Sequence, residues 1–321
     1  MTHNFFNTGF RELYYPREQG RDLVALWYPT HAMEEKTFYW LWQGIVASDA
    51  PINPSRHPLL IISHGMGGNM YNQYYLAEFL AKKGYIIAAI NHDDRAYSLM
   101  TLIDRPNQLS RVLDLILNDA SIKEHIDHDK IGIIGHSIGG YTALAVSGAT
   151  PDISKHPSRC IPLLGNAYWG VDMITRLVSK LYLDLQGIKT NFHDPRVKAI
   201  ALLAPGLGHL FDKNSLTKVE IPVFIMEAEQ DEAVDKAPLT RLRNNLPQPP
   251  SYFLLKGAGH YCFLPICDNE HIRKIAPIIC YDPGIPRQEL HITIKTEILD
   301  FFDKTLKDNA RITDSRSFRY S

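Results

Sequence analysis

The sequence predicts an α/β protein built on a doubly wound, mostly parallel sheet flanked by helices. Short apolar runs alternate with helical patterns, Gly and Pro mark their junctions, and no linker or repeat divides the 321 residues. Residues 1–321 therefore read as a single domain.

Leu23–Tyr28 is strand-like between Gly20 and Pro29, and the apolar run Leu59–Ser63 has the composition of a buried parallel strand. A helix over Tyr71–Lys83 stops at Gly84, and Tyr85–Ile90 is the next strand. Leu109, Val112, Leu113, Ile116 and Leu117 form a helical stripe between Asn107 and Asp119. Strand Ile131–Gly135 passes directly into a helix from Ile138 to Ser147. Val197–Leu203, Val223–Met226 and Tyr252–Leu255 are further strands, and Ile294, Ile298, Phe301 and Phe302 mark the core face of a terminal helix.

One connection breaks the pattern. Residues 150–194 stand where about 2–6 residues usually suffice. Val171, Ile174, Leu177, Val178, Leu181, Tyr182 and Leu185 keep helical spacing within it, so the segment is expected to be an inserted cap. An ordinary helix packed on the sheet flank is the competing reading.

Composition removes several function classes. The chain is 45% hydrophobic with 34 basic and 35 acidic residues, a formal net charge of −1, and no basic block for nucleic acid. Met1 to Gly20 mixes charges with aromatics where a signal peptide needs an apolar core, and no apolar run reaches the roughly 20 residues that span a bilayer. A cytoplasmic protein is expected, or an exported one if a leader was trimmed away. Of four cysteines, Cys262, Cys267 and Cys280 cluster, but no second ligand pair completes a zinc site. Buried free thiols are the preferred reading, with a Cys267–Cys280 disulfide the alternative for an exported protein, and no metal or cofactor is implied.

Gly135-His136-Ser137-Ile138-Gly139 matches G-x-S-x-G between an apolar strand and a helix. That pattern lifts a serine hydroxyl onto a sharp turn, with glycines where the backbone is crowded. Ser137 is the expected nucleophile, and the N–H of Ile138 at the helix start is an expected oxyanion donor. A second donor is expected from His64-Gly65-Met66-Gly67-Gly68, with Met66 the candidate. This loop lacks the G-K-[ST] ending of a phosphate loop.

Past the Val223–Met226 strand stand Glu227, Glu229, Asp231 and Glu232, among which spacing alone does not choose. Asp231 is preferred because a short side chain beyond a strand end can buttress a histidine ring. His260, in Gly257-Ala258-Gly259-His260, follows the next strand and is the expected base, completing the order serine, acid, histidine.

The runs SHGMGG, LAKKGYIIAAINHDDRAYS, IGIIGHSIGG, EAEQDEAV and KGAGHYCFL together resemble the predicted dienelactone hydrolases and platelet-activating factor acetylhydrolases of the α/β-hydrolase superfamily. The resemblance runs from about Leu23 to Leu306, and Asn91-His92-Asp93-Asp94-Arg95 is similar to the acetylhydrolase branch. It implies an α/β-hydrolase fold and hydrolysis of carboxylic esters through an acyl-enzyme. By position it makes Ser137 the nucleophile, Asp231 the acid, His260 the base, and Met66 and Ile138 the oxyanion donors. Dienelactone hydrolases proper use a cysteine nucleophile, so serine at 137 argues against lactones. Pro265–His291 looks like the bacterial dienelactone-type members, many of them exported.

The expected substrate is a small-molecule ester with a short-acyl or lipid-like group. Leu163, Leu164, Tyr168 and Trp169 in the expected cap supply an apolar surface, with Tyr168 and Trp169 the candidate substrate contacts. Phe38–Trp42 is aromatic enough for an entrance or a peripheral lipid contact, although packing on the sheet edge is the preferred reading. A lipase, thioesterase or peptidase could use the same triad, and a non-catalytic binding protein could keep the fold.

Overall fold

In the computed structural model, residues 6–18, 20–92, 94, 99–155 and 190–307 are described. Ten strands form one sheet: β1 (Asn7–Pro16), β2 (Arg21–Thr30), β3 (Glu35–Tyr39), β4 (Trp42–Ser48), β5 (His57–Ser63), β6 (Ile86–Ile90), β7 (Ile126–His136), β8 (Val197–Leu203), β9 (Val223–Ala228) and β10 (Ser251–Leu255). The spatial order is β10-β9-β8-β7-β5-β6-β2-β1-β4-β3. From β10 to β6 every pairing is parallel, whereas β2 pairs antiparallel with both β6 and β1. The helices are α1 (Tyr74–Lys82), α2 (Leu99–Asn118), α3 (Ile138–Val146), the single turn α4 (Lys213–Leu216), α5 (Lys236–Asn245), α6 (Glu270–Ile275) and α7 (Arg287–Phe302).

Two apolar layers hold the sheet. Leu109, Val112, Leu113 and Ile116 of α2 join Leu144 of α3 against one face. Leu76 and Leu80 of α1 join Ile294, Ile298, Phe301 and Phe302 of α7 against the other. All seven residues of β5 and all five of β6 are buried, which is why these strands read as unbroken apolar runs. Each leucine or isoleucine buried there contributes about 1.5–3 kcal/mol relative to exposure.

The strands and helices expected among the described residues are present, with instructive differences. Helix α2 begins at Leu99 rather than Asn107 and carries Pro106 in its interior. Pro106 cannot donate to the carbonyl of Leu102, four residues back, and the Tyr141 hydroxyl donates to that oxygen instead at 2.8 Å. The strand pair β3–β4 and the whole of β1 went unread. Strand β1 is mixed in polarity with irregular burial, and its assignment depends on ten residues of pairing with β2. Cys262 is a buried free thiol, whereas Cys267 and Cys280 are paired, which is the alternative reading for these two rather than the preferred one.

Residues 156–189, including the helical stripe, Tyr168 and Trp169 of the expected cap, lie outside the described residues. The chain on either side of them is anchored near the far end of α3 from Ser137. Asp194 N–H donates to Val146 O at 2.9 Å, and Ser215 Oγ donates to Thr150 O at 2.7 Å. Among the described residues no helix is long and apolar enough to cross a membrane.

Candidate active site

The strand order reverses about β5. The chain steps from β5 to β6 on one side, then crosses to β7 on the other, leaving a crevice past the strand ends. Ser63 at the end of β5 lies opposite Gly135 near the end of β7. The loops carrying Met66 and Ser137 are therefore neighbours.

Ser137 has φ 55° and ψ −119°, a conformation that costs a side-chain-bearing residue of order 1–3 kcal/mol. Its surroundings hold it there. Its N–H donates to Leu203 O at 3.0 Å, and its carbonyl accepts from the N–H groups of Gly140 and Gly206, both at 2.9 Å. The neighbouring glycines are required: a Cβ at 139 would strike the Ser63 carbonyl, and one at 135 would strike the Gly139 carbonyl. Ile138 is the first residue of α3, so its N–H has no intrahelical acceptor. The Met66 N–H likewise donates to no acceptor among the described residues.

The acids past β9 divide their duties. His260 Nδ1–H donates to Asp231 Oδ2 at 2.9 Å, with both side chains about 5% exposed. Asp231 Oδ1 accepts from the N–H groups of Ala233 at 2.9 Å and Val234 at 2.8 Å, fixing the carboxylate. Glu232 accepts from the His260 backbone N–H at 3.1 Å, Glu229 from Gly257 N–H at 2.8 Å, and Glu227 from the Tyr252 hydroxyl at 2.9 Å. Only Asp231 reaches the ring. Because Nδ1 carries the proton, Nε2 is left to accept one.

Ser137, His260 and Met66 line one cavity of about 420 Å³. Its walls are largely apolar. Trp40, Leu41 and Trp42 come from the β3–β4 turn, and Leu264, Ile272 and Ile279 come from the segment after His260. That segment is closed by the Cys267–Cys280 pair. Arg287, only 2% exposed, ties it to α7 by donating to Asp282 Oδ1 at 2.9 Å and to Pro265 O at 3.2 Å.

Comparisons with known proteins agree with this architecture. A family model described as the alpha/beta hydrolase fold matches residues 58–160. The solved structure of a ferulic acid esterase from Streptomyces cinnamoneus superposes with a TM-score of 0.64 at 18% identity, over 100% of this chain and 95% of that one. The fold is that of the α/β hydrolases. Among curated proteins, the chain is 26% identical to the platelet-activating factor acetylhydrolase of Bos taurus, over 44% of this chain and 47% of that protein. It is 28% identical to cutinase 2 of Thermobifida cellulosilytica, over 42% of this chain and 50% of that protein. The chain spans about half the length of the curated relatives it matches.

Within this α/β-hydrolase fold Ser137, His260 and Met66 line one cavity, Asp231 is bonded to the His260 ring, and Ile138 follows Ser137 at the start of α3. It corrects the reading of the Phe38–Trp42 run. Tyr39 does pack inward, accepting a hydrogen bond from Trp27 Nε1 at 2.9 Å, but Trp40, Leu41 and Trp42 turn to the cavity. The wall from Leu264 to Ile279 was missed; its apolar residues fall in short turns without a period to reveal them. His136 was also missed as a cavity residue. Its Nε2–H donates to the His260 carbonyl at 3.3 Å, its Nδ1 has no partner among the described residues, and burial holds its pKa well below the usual histidine range.

Proposed function

We propose that this α/β hydrolase is a serine carboxylester hydrolase acting through an acyl-enzyme on short-acyl or lipid-like esters. One observation carries the reading: Ser137, raised on its turn, opens into the same cavity as His260, whose Nδ1–H is committed to Asp231. Ser137 Oγ attacks the ester carbonyl carbon while His260 Nε2 takes the hydroxyl proton. The oxygen that gains charge is met by the N–H groups of Met66 and Ile138. When the tetrahedral intermediate collapses, the carbon–alkoxy bond breaks and His260 returns its proton to the departing alcohol. Water then attacks the acyl-enzyme by the same route, releasing the acid and restoring Ser137.

The apolar walls support an apolar acyl or alcohol group, and among the described residues Arg287 is the one lysine or arginine in the lining, its guanidinium paired with Asp282. Names of relatives add support: an acetylhydrolase, a cutinase and a ferulic acid esterase. The test is fluorophosphonate labelling combined with turnover of p-nitrophenyl esters of increasing acyl length. Label is expected on Ser137, and Ser137→Ala is expected to lose label and about 10⁴–10⁶-fold in kcat while staying folded. Undiminished turnover in that variant would overturn the proposal.

A further inference from the structure

Behind the Met66 loop lies a buried polar network that the proposed reaction does not use. Arg105 of α2 is 1% exposed, an unusual place for a guanidinium. It makes a two-point pair with Asp94: Nε donates to Oδ1 at 3.0 Å, and Nη2 donates to Oδ2. It also reaches two backbone carbonyls, and Nη2 lies 3.3 Å from His64 Nδ1. Nη1 donates to His64 O at 2.7 Å and Nη2 to Gly65 O at 3.3 Å.

Gly65 O also accepts from His64 Nδ1–H at 2.7 Å. The His64 tautomer follows from its other nitrogen, which accepts the His92 N–H at 3.0 Å. Burial and the adjacent guanidinium push the His64 pKa down to about 3, keeping the ring neutral. His92 is fixed in turn, donating from Nδ1 to Gln108 Oε1 at 2.7 Å and accepting from Ser63 Oγ at 2.9 Å.

Peptide geometry connects this network to catalysis. The Gly65 carbonyl and the Met66 N–H belong to one peptide unit, and in a planar trans peptide they point in opposite directions. Drawing Gly65 O toward Arg105 therefore aims the Met66 N–H away from the network, on the side where Met66 meets the cavity. We propose that Arg105, held by Asp94, is a positioning residue that orients the Met66 N–H as an oxyanion donor. The inference rests on the reading of Ser137 as nucleophile. An apolar residue at 105 would take the 2.7 Å donor from the buried His64 carbonyl and one of three donors from Gly65 O, which keeps His64 Nδ1–H and the Gly68 N–H, and so would loosen the peptide.

The experiment measures kcat per active site, with sites counted by fluorophosphonate titration, in Arg105→Ala, Arg105→Lys and Asp94→Asn. Removing one oxyanion donor costs about 10²–10³-fold, so Arg105→Ala should lose about 10²-fold in kcat with KM within about threefold. Affinity for a trifluoromethyl ketone, whose adduct carries the oxyanion, should fall by a similar factor. Lysine, which cannot span both carbonyls and the carboxylate, should recover only part of the loss. Added guanidinium at non-denaturing concentration should restore part of the kcat of Arg105→Ala. Unchanged kcat per titrated site, with only a lower Tm or fewer titratable sites, would overturn the inference. If the alanine variant does not fold, the lysine and Asp94→Asn variants decide on the same measurement. Failure of the wild-type enzyme to be labelled at Ser137 would instead sink the functional reading.

Discussion

His260 and Asp231 meet through a single 2.9 Å hydrogen bond, and the carboxylate oxygen not used in it is held by two backbone N–H groups. The acid is thus fixed before it fixes the base. Asp231→Asn should lower kcat by about 10³–10⁴-fold, because an amide cannot stabilise the imidazolium that forms. Glu227→Gln and Glu229→Gln, remote from the ring, should cost less than about threefold, and Glu232→Gln less than about tenfold. Steady-state kinetics on a p-nitrophenyl ester checks the ranking. A crippling loss in one of the glutamate variants with a mild one in Asp231→Asn would reassign the acid.

Why the motifs were legible and the walls were not has a physical basis. Ser137 needs glycines on both sides because carbonyl oxygens occupy the space of their missing Cβ atoms, and such demands leave marks in a sequence. The buried strands β5 and β6 were equally plain, since both their faces are covered. The choice of Asp231 among four acids rested on a side-chain-length argument, and only the hydrogen bonds separate it from Glu232. Trp40 and Trp42 were misplaced because an aromatic run does not reveal which members turn inward; Tyr39 does, and its neighbours do not. The start of α2 was misread at Pro106, where the cost of a proline is offset by Tyr141, which is distant in sequence.

The glycines of the two loops allow a contrast. Gly139→Ala would drive a Cβ into the Ser63 carbonyl, where neither backbone can yield. The expected cost is roughly 3 kcal/mol or more, with loss of activity. Gly67 has φ +65° but nothing within 4 Å of a built Cβ, so Gly67→Ala should cost only about 1–2 kcal/mol of backbone strain. Urea midpoints at constant m-value measure both. Equal destabilisation would mean that conformation, not crowding, sets the requirement.

The cavity wall makes a prediction about substrate preference. Ala276 lines the cavity beside Ile272 and Ile279, so Ala276→Phe should fill part of the space available to an acyl chain. Each methylene denied burial removes about 0.8 kcal/mol, or about fourfold in kcat/KM. The ratio of octanoyl to butyryl ester hydrolysis should fall accordingly in the folded variant. If that ratio stays constant while trimming Leu177 to Ala shifts it, selectivity belongs to the expected cap rather than to this wall.

The last prediction concerns Glu78, which joins α1 to the β3–β4 pair. Its Oε1 accepts from the Tyr39 hydroxyl at 2.8 Å and the Ile45 N–H at 3.2 Å. Burial raises its pKa to about 7, against the hydrogen bonds from Tyr39 and Ile45 and the nearby charge of Lys82, while Glu34 adds to the rise. Lys295 of α7 also faces it, itself lowered mainly by burial. An acid whose folded pKa lies above its unfolded value stabilises the fold most when protonated. Its contribution is complete below the ordinary value of 4.5 and is lost as pH rises through about 7. At about 1.4 kcal/mol per unit, the full loss amounts to roughly 3–4 kcal/mol, level above about pH 8. Glu78→Gln keeps an acceptor for both donors but does not titrate. The stability of wild type minus that of the variant should therefore fall between pH 5 and 7.5 and then stay flat, as urea unfolding across that range will show. Other carboxylates contribute equally to both proteins and cancel in the difference. A difference that is flat throughout, or that rises with pH, would mean Glu78 is already ionised in the folded protein at pH 5. In that event protonation would not tighten the turn that carries Trp40 and Trp42 to the cavity mouth.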